Sequence, residues 1–100
     1  MFRCIDGSLY TGITTDPERR FKEHSAGTGP GAKYTRSHPP VSIAAAWGSD
    51  SRSSASALEY RIKRLKKHRK EMLAANPDLL FDLLGDKIDS SQYITITDKF

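Results

Sequence analysis

This 100-residue chain contains several residues able to bind phosphate, transfer protons or hold a metal ion. Tyr10 precedes Gly12 by two residues, and Arg20 and His24 follow four residues apart. Glu59 comes later, just before a strongly basic stretch. Arginine is permanently cationic and matches phosphate oxygens, and a carboxylate is a preferred ligand of hard divalent cations. Chemistry on an anionic substrate is one interpretation of this set.

Each of these residues also has a purely structural interpretation. Tyr10 could be a strand aromatic that covers the core, and Gly12 could mark a bulge. Arg20 could pair with Glu23 on a helix surface, and His24 could lie near a helix C-terminus and interact with its carbonyl groups. The residues considered singly do not choose between these interpretations.

Glu59 has the same two interpretations. It could be a surface glutamate paired with Lys63 four residues later, which stabilises a helix slightly. It also flanks an apolar stripe that includes Leu58, Ile62 and Leu65, which predicts a half-buried carboxylate. A half-buried acid among basic residues is a candidate ligand.

A β-hairpin is predicted at the start of the chain. Residues 2–5 and 9–13 have strand-forming character and flank Asp6-Gly7-Ser8, which is typical of a turn. The second strand of this hairpin would carry Tyr10.

A helix from about Asp16 to Ser25 is predicted to follow. Thr15 and Glu18 could form a capping box, or Asp16 could cap the helix with Pro17 at the first helical position. Both alternatives begin the helix at the same place.

A third strand and a long helix complete the predicted domain. Residues 41–47 are apolar and of strand length, which predicts a buried central strand. Ser53 or Ser54 would cap a helix that continues, with or without a break, to about Ala75. Asn76-Pro77-Asp78 would end it.

The last quarter of the chain has a different character. Residues 79–84 favour a short helix, and residues 91–100 are polar and β-leaning, with little predicted to pack against them. Residues 76–100 hold 2 Lys/Arg and 5 Asp/Glu, whereas residues 1–75 hold 14 and 7. We therefore expect one domain over 1–75, followed by a short helix and a flexible acidic tail.

The overall charge and cysteine content suggest a partner and a compartment. The net charge of +4 favours a polyanionic partner such as nucleic acid, although a solvated basic surface explains it as well. Cys4 is the only cysteine, so neither an internal disulfide nor a cysteine-based zinc site is expected. No apolar run reaches the roughly 18 residues of a membrane span. We expect a cytoplasmic monomer with no membrane contact.

The segment from Leu9 to His24, LYTGITTDPERRFKEH, resembles the second half of the GIY-YIG nuclease signature. In that signature a strand carrying Tyr-x-Gly leads to a helix bearing Arg and often His, and Arg20 falls ten residues after Tyr10 as the pattern requires. Residues 31–36 (GAKYTR) and 58–65 (LEYRIKRL) are similar to stretches of small stand-alone bacterial members, which are like the N-terminal domain of excinuclease C. Together these matches cover most of residues 2–75.

The resemblance implies an α/β (α+β) fold with a small three-stranded antiparallel sheet flanked by helices. It also implies a metal-dependent endonuclease that hydrolyses phosphodiester bonds with one Mg²⁺ or Mn²⁺ ion. DNA is the expected substrate in preference to RNA, in branched, damaged or single-stranded form, as in DNA repair. A non-catalytic nucleic-acid binding module on the same fold is the alternative, and a small protein-interaction domain is a third.

The resemblance assigns catalytic roles to four residues. Glu59 would be the carboxylate ligand of the metal ion. Arg20 would contact the scissile phosphate, where a planar cationic fork suits the developing charge. Tyr10 would place its phenol beside the attacking water or the phosphate. His24, one turn after Arg20, would hydrogen-bond either of them.

Substrate binding is predicted for a second set of residues. Gly12 would let backbone and substrate approach closely, because it has no side chain. Basic side chains on the later helix would follow backbone phosphates without reading sequence. The other predicted substrate-binding residues are Lys33, Tyr34, Arg36, Lys63 and Lys67.

The signature contains an earlier tyrosine on its first strand, about ten residues before Tyr10, and that position precedes Met1. Phe2 lacks the hydroxyl and lies two residues too late. Either the natural chain begins upstream with this tyrosine, which we expect, or this is a truncated member that binds nucleic acid and cuts poorly. The two tyrosines would share a sheet face only if the loop around Gly7 has an odd number of residues.

Overall fold

The predicted hairpin begins the chain in the computed structural model, which describes residues 1–27 and 37–96. Strand β1 (Phe2–Cys4) pairs antiparallel with strand β2 (Leu9–Tyr10), and Phe2 lies directly opposite Tyr10. Directly opposed residues of an antiparallel pair point to the same face of the sheet. The two rings therefore share one face.

The hairpin loop has three residues, Ile5 to Gly7. An odd number of loop residues is the condition under which Tyr10 and a tyrosine ten residues earlier would share one face of the sheet. The Cys4 amide donates to the Ser8 carbonyl at 2.8 Å, and the Gly7 amide donates to the Cys4 carbonyl at 2.9 Å. Gly7 has φ 86°, a left-handed conformation that glycine adopts without steric cost. Hydrogen bonds from Ser8 lower the pKa of the Asp6 carboxyl, which accepts from the Ser8 hydroxyl at 2.6 Å.

A third strand completes an antiparallel sheet with the order β2-β1-β3, as predicted. Strand β3 is Pro40–Ile43 and pairs with β1. The prediction of a buried central strand over residues 41–47 was wrong: β1 is central, and Val41 is 56% exposed. Three alanines follow Ile43, and alanine is a weak strand former, so the apolar run does not continue as one strand.

Helix α1 (Pro17–Ser25) begins as one of the two predicted alternatives. The side chain of Asp16 is the N-cap and accepts from the Arg19 amide at 3.1 Å, with Pro17 at the first turn. Proline suits that position because its missing N–H would have no partner there in any case. Asp16 capping is confirmed over the Thr15 capping box.

The chain forms two compact units, the first of which comprises residues 1–44 and the second of which begins at Ala45. In the second unit strand β4 (Trp47–Ser49) pairs antiparallel with strand β5 (Tyr93–Thr95). The prediction that residues 91–100 have little to pack against was therefore wrong for Tyr93–Thr95. The proposed domain division after residue 75 stays a prediction.

Two helices carry the basic segment. Helix α2 (Arg52–Lys63) and helix α3 (Lys67–Ala75) are separated at Arg64–Lys66, which confirms the alternative with a break. The predicted cap at Ser53 or Ser54 was wrong, because Ser51 is the N-cap. Ser51 Oγ accepts from the Ser54 amide at 3.1 Å, and Ser54 Oγ accepts from the Ser51 amide at 3.2 Å, which is a capping box.

The remaining helical segments close the second unit. A short 3₁₀ turn (Pro77–Leu79) leads into helix α4 (Leu80–Leu83), which confirms the predicted short helix. The apolar faces of α2, α3 and α4 supply the buried side chains Leu58, Ile62, Leu73 and Leu80, and Leu84, directly after α4, is also buried. Within the described ranges, none of the helices is long and apolar enough to cross a membrane.

Replacing Asp16 with alanine tests the origin of α1. Because Asp16→Ala removes the side-chain acceptor of the Arg19 amide in the first turn of this helix, we expect a loss of about 1 kcal/mol in the free energy of unfolding. Thr15→Ala is the matched control and should leave stability nearly unchanged. Urea denaturation followed by circular dichroism measures both, and an equal loss for the two variants would contradict the assignment.

Tyr93→Phe tests the strand at the end of the chain. The buried Tyr93 hydroxyl donates to the Ser54 carbonyl at 2.8 Å, so its loss should cost about 1 kcal/mol. Burial, reinforced by Asp50 and Asp89, raises the pKa of Tyr93, so the folded state keeps this proton longer. Stability should fall as pH rises past the ordinary tyrosine value of about 10, and less so in the variant.

Tyr60→Phe removes an exposed hydroxyl and is the control for Tyr93→Phe. In urea, Tyr93→Phe should unfold at a lower concentration than Tyr60→Phe. At alkaline pH, the stability of Tyr93→Phe should fall less than that of Tyr60→Phe. Identical curves would mean that the Tyr93 hydrogen bond contributes nothing to stability.

Candidate functional site

An aromatic cluster joins the hairpin to α1 in the first unit. The Phe2 ring lies 5.5 Å from Phe21 in an edge-to-face arrangement and 5.6 Å from His24. On the same sheet face, the Tyr10 ring lies 6.4 Å from Phe2 and 5.0 Å from His24. Tyr10 and His24, two of the predicted catalytic residues, are thereby in ring contact.

One face of α1 carries the residues turned toward the sheet. Arg20 and His24 are four residues apart and therefore lie on the same side of the helix. Arg20 is half-buried, whereas the neighbouring Arg19 points in a different direction with its side chain 64% exposed. The predicted Arg20 thus shares the helix face that contacts Tyr10.

The guanidinium of Arg20 has a buried donor. Its Nε atom is buried, and no described residue supplies a hydrogen-bond acceptor for it. The predicted alternative, a surface pair with Glu23, is formed instead by Arg19, whose Nε lies 3.5 Å from Glu23 Oε1. A buried N–H without an acceptor costs about 1–3 kcal/mol, which a bound anion would offset. Arg20 is therefore suited to bind an anionic ligand.

His24 is fully buried, and its ring packs against Phe2 and Tyr10. Its backbone carbonyl accepts from the Gly27 amide at 3.1 Å, at the end of α1. The ring therefore limits where the Tyr10 side chain can lie. A direct hydrogen bond from His24 to water or phosphate stays a prediction.

Gly12 is placed against Tyr10. A Cβ atom at Gly12 would lie 3.3 Å from Cε1 of the Tyr10 ring, closer than most carbon contacts. The lack of a side chain therefore leaves room for the tyrosine itself. Close approach of a substrate to Gly12, the predicted role, is not tested by this contact.

Glu59 belongs to the second unit, on α2. Its side chain is 27% exposed, and Oε2 lies 3.8 Å from Lys63 Nζ, so the half-buried carboxylate and its lysine neighbour are as expected. Within residues 1–27 and 37–96 no group of three or more His, Cys, Asp or Glu side chains could hold a metal ion. A partly exposed single carboxylate fits a hydrated Mg²⁺ or Mn²⁺ ion, which takes few protein ligands and keeps several waters.

The predicted substrate-binding residues divide into two sets. Lys63 and Lys67 are exposed, at the end of α2 and the start of α3. The other three lie outside the described residues: Lys33, Tyr34 and Arg36.

Two aromatic residues were missed by the sequence reasoning. Phe2 was considered only as a poor substitute for a tyrosine, yet it contacts both Tyr10 and His24. The predicted hairpin of residues 2–5 and 9–13 was the feature of the sequence that could have indicated this contact. Tyr60, an exposed aromatic residue next to Glu59, was also missed; its position directly before the basic run Arg61–Lys70 was the signal.

Comparison with known proteins defines the class of this fold. A model of the GIY-YIG catalytic domain matches residues 1–72, so the chain belongs to the GIY-YIG family and has a nuclease-type fold. Members of that family are generally endonucleases. No solved structure matches the chain significantly.

Small proteins designated UPF0213 are similar to this chain. One from Halalkalibacterium halodurans is 44% identical over 75 residues, covering 75% of this chain and 78% of that protein. One from Halobacterium salinarum is 49% identical over 73 residues, covering 73% and 92%. A third, from Fusobacterium nucleatum, is 46% identical over 78 residues, covering 78% and 76%.

Gly12→Ala tests the contact between Gly12 and Tyr10. The added methyl would force the Tyr10 ring to move by a few tenths of an ångström, so the ring resonances should shift in NMR spectra. Gly48→Ala is the matched control, because its Cβ would lie 3.2 Å from Cγ1 of the exposed Ile94. Unchanged Tyr10 resonances in Gly12→Ala would contradict the described packing.

Proposed function

We propose that this protein is a metal-dependent endonuclease that hydrolyses phosphodiester bonds, with DNA rather than RNA as its substrate. The observation that carries the proposal is the buried Arg20 Nε, which has no acceptor among the described residues. It lies on the helix face that contacts Tyr10, within a fold of the nuclease type. A phosphate oxygen is the acceptor that this arrangement would take.

Arg20 binds the scissile phosphate in this proposal. Hydrolysis adds charge to the non-bridging oxygens as water attacks phosphorus, and a fixed guanidinium is most favourable at that stage. Because Nε is buried in the free protein, the packing around Arg20 restricts the guanidinium before an anion binds.

Tyr10 orients the attacking water. Its hydroxyl can accept a hydrogen bond from that water or donate one to the phosphate, and the His24 and Phe2 rings restrict its motion. The water oxygen forms the new bond to phosphorus, and the bond to the leaving sugar oxygen breaks. The proton lost by the water passes to solvent, and the leaving oxygen gains one. His24 acts mainly as a positioning residue because it is fully buried.

Glu59 holds the metal ion in this proposal. A bound Mg²⁺ or Mn²⁺ would supply positive charge to stabilise the leaving oxygen. The partly exposed carboxylate can accept a hydrated ion while Lys63 balances its charge in the ion's absence. The exposed Lys63 and Lys67 would contact the phosphates of the strand.

The proposed substrate is branched, damaged or single-stranded DNA, as in DNA repair. The proposed location of the protein is the cytoplasm. Lys33, Tyr34 and Arg36 remain proposed contacts to that substrate, and Gly12 would let the backbone approach it.

Cleavage of end-labelled DNA tests the proposal. In Mg²⁺ or Mn²⁺, Arg20→Gln should slow cleavage by about 10²–10³-fold, as loss of a charge-stabilising donor does in other enzymes. Arg19→Gln is the matched control, since Arg19 is exposed and paired with Glu23, and its rate should equal that of the parent protein. Single-stranded, branched and duplex DNA and RNA are compared as substrates.

Glu59→Gln tests metal binding in the same assay. It should abolish metal-stimulated cleavage, whereas Glu71→Gln, a half-buried glutamate of α3, should not. Electron paramagnetic resonance of Mn²⁺ measures ion binding independently of cleavage. Cleavage that ignores both Arg20→Gln and Glu59→Gln would indicate a contaminating nuclease. Binding of DNA without cleavage in either metal would contradict the proposal and favour a non-catalytic binding module.

A further inference from the structure

Tyr60 is an exposed aromatic residue on the basic helix α2. The residue remains 54% exposed although two guanidinium groups lie near its ring. The central carbon of Arg61 lies 5.7 Å from the ring centroid, and that of Arg64 lies 5.2 Å away. These distances are within the range of cation–π attraction. The ring is therefore partly restrained by two cations while much of it faces solvent.

The direction of Tyr60 is set by the core of the second unit. Leu58 and Ile62 are buried on the opposite side of α2, and a residue two positions from each must point away from them. An exposed tyrosine in this position adds nothing to the core. The exposed ring could instead stabilise a complex with a ligand that covers it.

The charge around Tyr60 restricts the chemistry of that ligand. Of the ten residues from Arg61 to Lys70, seven are Lys or Arg and none is acidic. Glu59, whose carboxylate lies near Lys63, is the acidic neighbour on the N-terminal side. An anionic ligand with a flat, stackable surface would use both the cations and the ring. Nucleotides have this combination.

We propose that Tyr60 stacks on an unpaired base of a nucleic acid while Arg61 and Arg64 contact the adjoining phosphates. Aromatic rings and guanidinium planes are the usual platforms for unpaired bases. A base inside a duplex has both faces covered by its neighbours, so it is not available to such a ring. This surface therefore selects single-stranded or locally unpaired substrate, and the inference rests on the proposed function only in taking nucleic acid as the ligand.

The two arginines have a distinct role from the tyrosine. Each guanidinium carries a permanent charge and can release counterions from the phosphates, which makes its contribution depend on salt. The Tyr60 ring is uncharged and contributes through stacking, which depends on whether the bases are unpaired or lie within a duplex. The two contributions can therefore be measured separately.

Binding to labelled oligonucleotides tests the proposal with the full chain, in EDTA so that no cleavage occurs. Fluorescence anisotropy compares a single-stranded oligothymidylate with a duplex of equal phosphate number. Tyr60→Ala should weaken single-strand binding by about 5- to 150-fold, the usual contribution of one stacked base. Duplex binding and the salt slope should remain those of the parent protein. Tyr60→Phe keeps the ring and should restore single-strand affinity.

Two further variants complete the design. Met72→Ala removes another exposed apolar side chain from the neighbouring α3 and should change nothing. Arg64→Gln should weaken single-strand and duplex binding alike and reduce the magnitude of the salt slope by about one. Circular dichroism checks that each variant is folded.

Each result has a defined consequence. Single-strand binding that is unaffected by Tyr60→Ala, or an equal loss on single strand and duplex, would overturn the Tyr60 inference and leave the proposed nuclease function standing. Absence of binding to either oligonucleotide would overturn both. Displacement of the oligonucleotide by polyglutamate of equal charge at equal concentration would indicate an acidic protein partner and would also overturn the inference.

Discussion

The edge-to-face contact between Phe2 and Phe21 fixes the first unit, because it sets how α1 lies on the sheet. The rings are 5.5 Å apart with planes at 89°, a favourable geometry for aromatic pairs. Phe2 is central in the three-stranded sheet and opposes Tyr10 across the hairpin. Once Phe21 packs on it, helical periodicity places Arg20 and His24 on the same side. The arrangement of Tyr10, Arg20 and His24 therefore depends on this apolar contact and on the hairpin register.

The second unit depends on a different kind of interaction. Ser54 closes the capping box with Ser51, donates to the Asp50 carboxylate at 2.5 Å, and offers its carbonyl to the Tyr93 hydroxyl at 2.8 Å. Because the start of α2 is held in this way, the buried stripe of that helix faces its own core. Glu59 is left partly exposed and Tyr60 points to solvent. Polar bonds at one helix end thus determine which chemical groups the helix presents.

The sequence predicted the features that depend on short stretches of chain. Asp16 followed by Pro17 specifies a helix start through its own hydrogen bond, and the turn with Gly7 specifies the hairpin. Family resemblance predicted the three-stranded antiparallel sheet. The pairing of β4 with β5 was not predicted, because it joins residues more than forty positions apart and strands of only three residues carry little periodic signal.

The sequence predicted only the part of the candidate site that depends on local spacing along the chain. The spacing of Arg20 and His24 specifies a common helix face, so their grouping was readable from the sequence. The buried state of His24, the pairing of Arg19 rather than Arg20 with Glu23, and the fit of Gly12 against Tyr10 depend on packing between elements. Side-chain depth of this kind is decided by tertiary contacts, which local patterns do not encode.

In the proposed active site, the buried Arg20 Nε is a hydrogen-bond donor to phosphate that is already in place in the free protein. NMR of the arginine Nε–H groups, recorded while a non-cleavable phosphorothioate oligonucleotide is added, observes that donor directly. On binding, the Arg20 Nε–H resonance should move downfield and exchange still more slowly with solvent, while the Arg19 resonance stays in place. An Arg20 resonance that does not change when the oligonucleotide is saturating would contradict it.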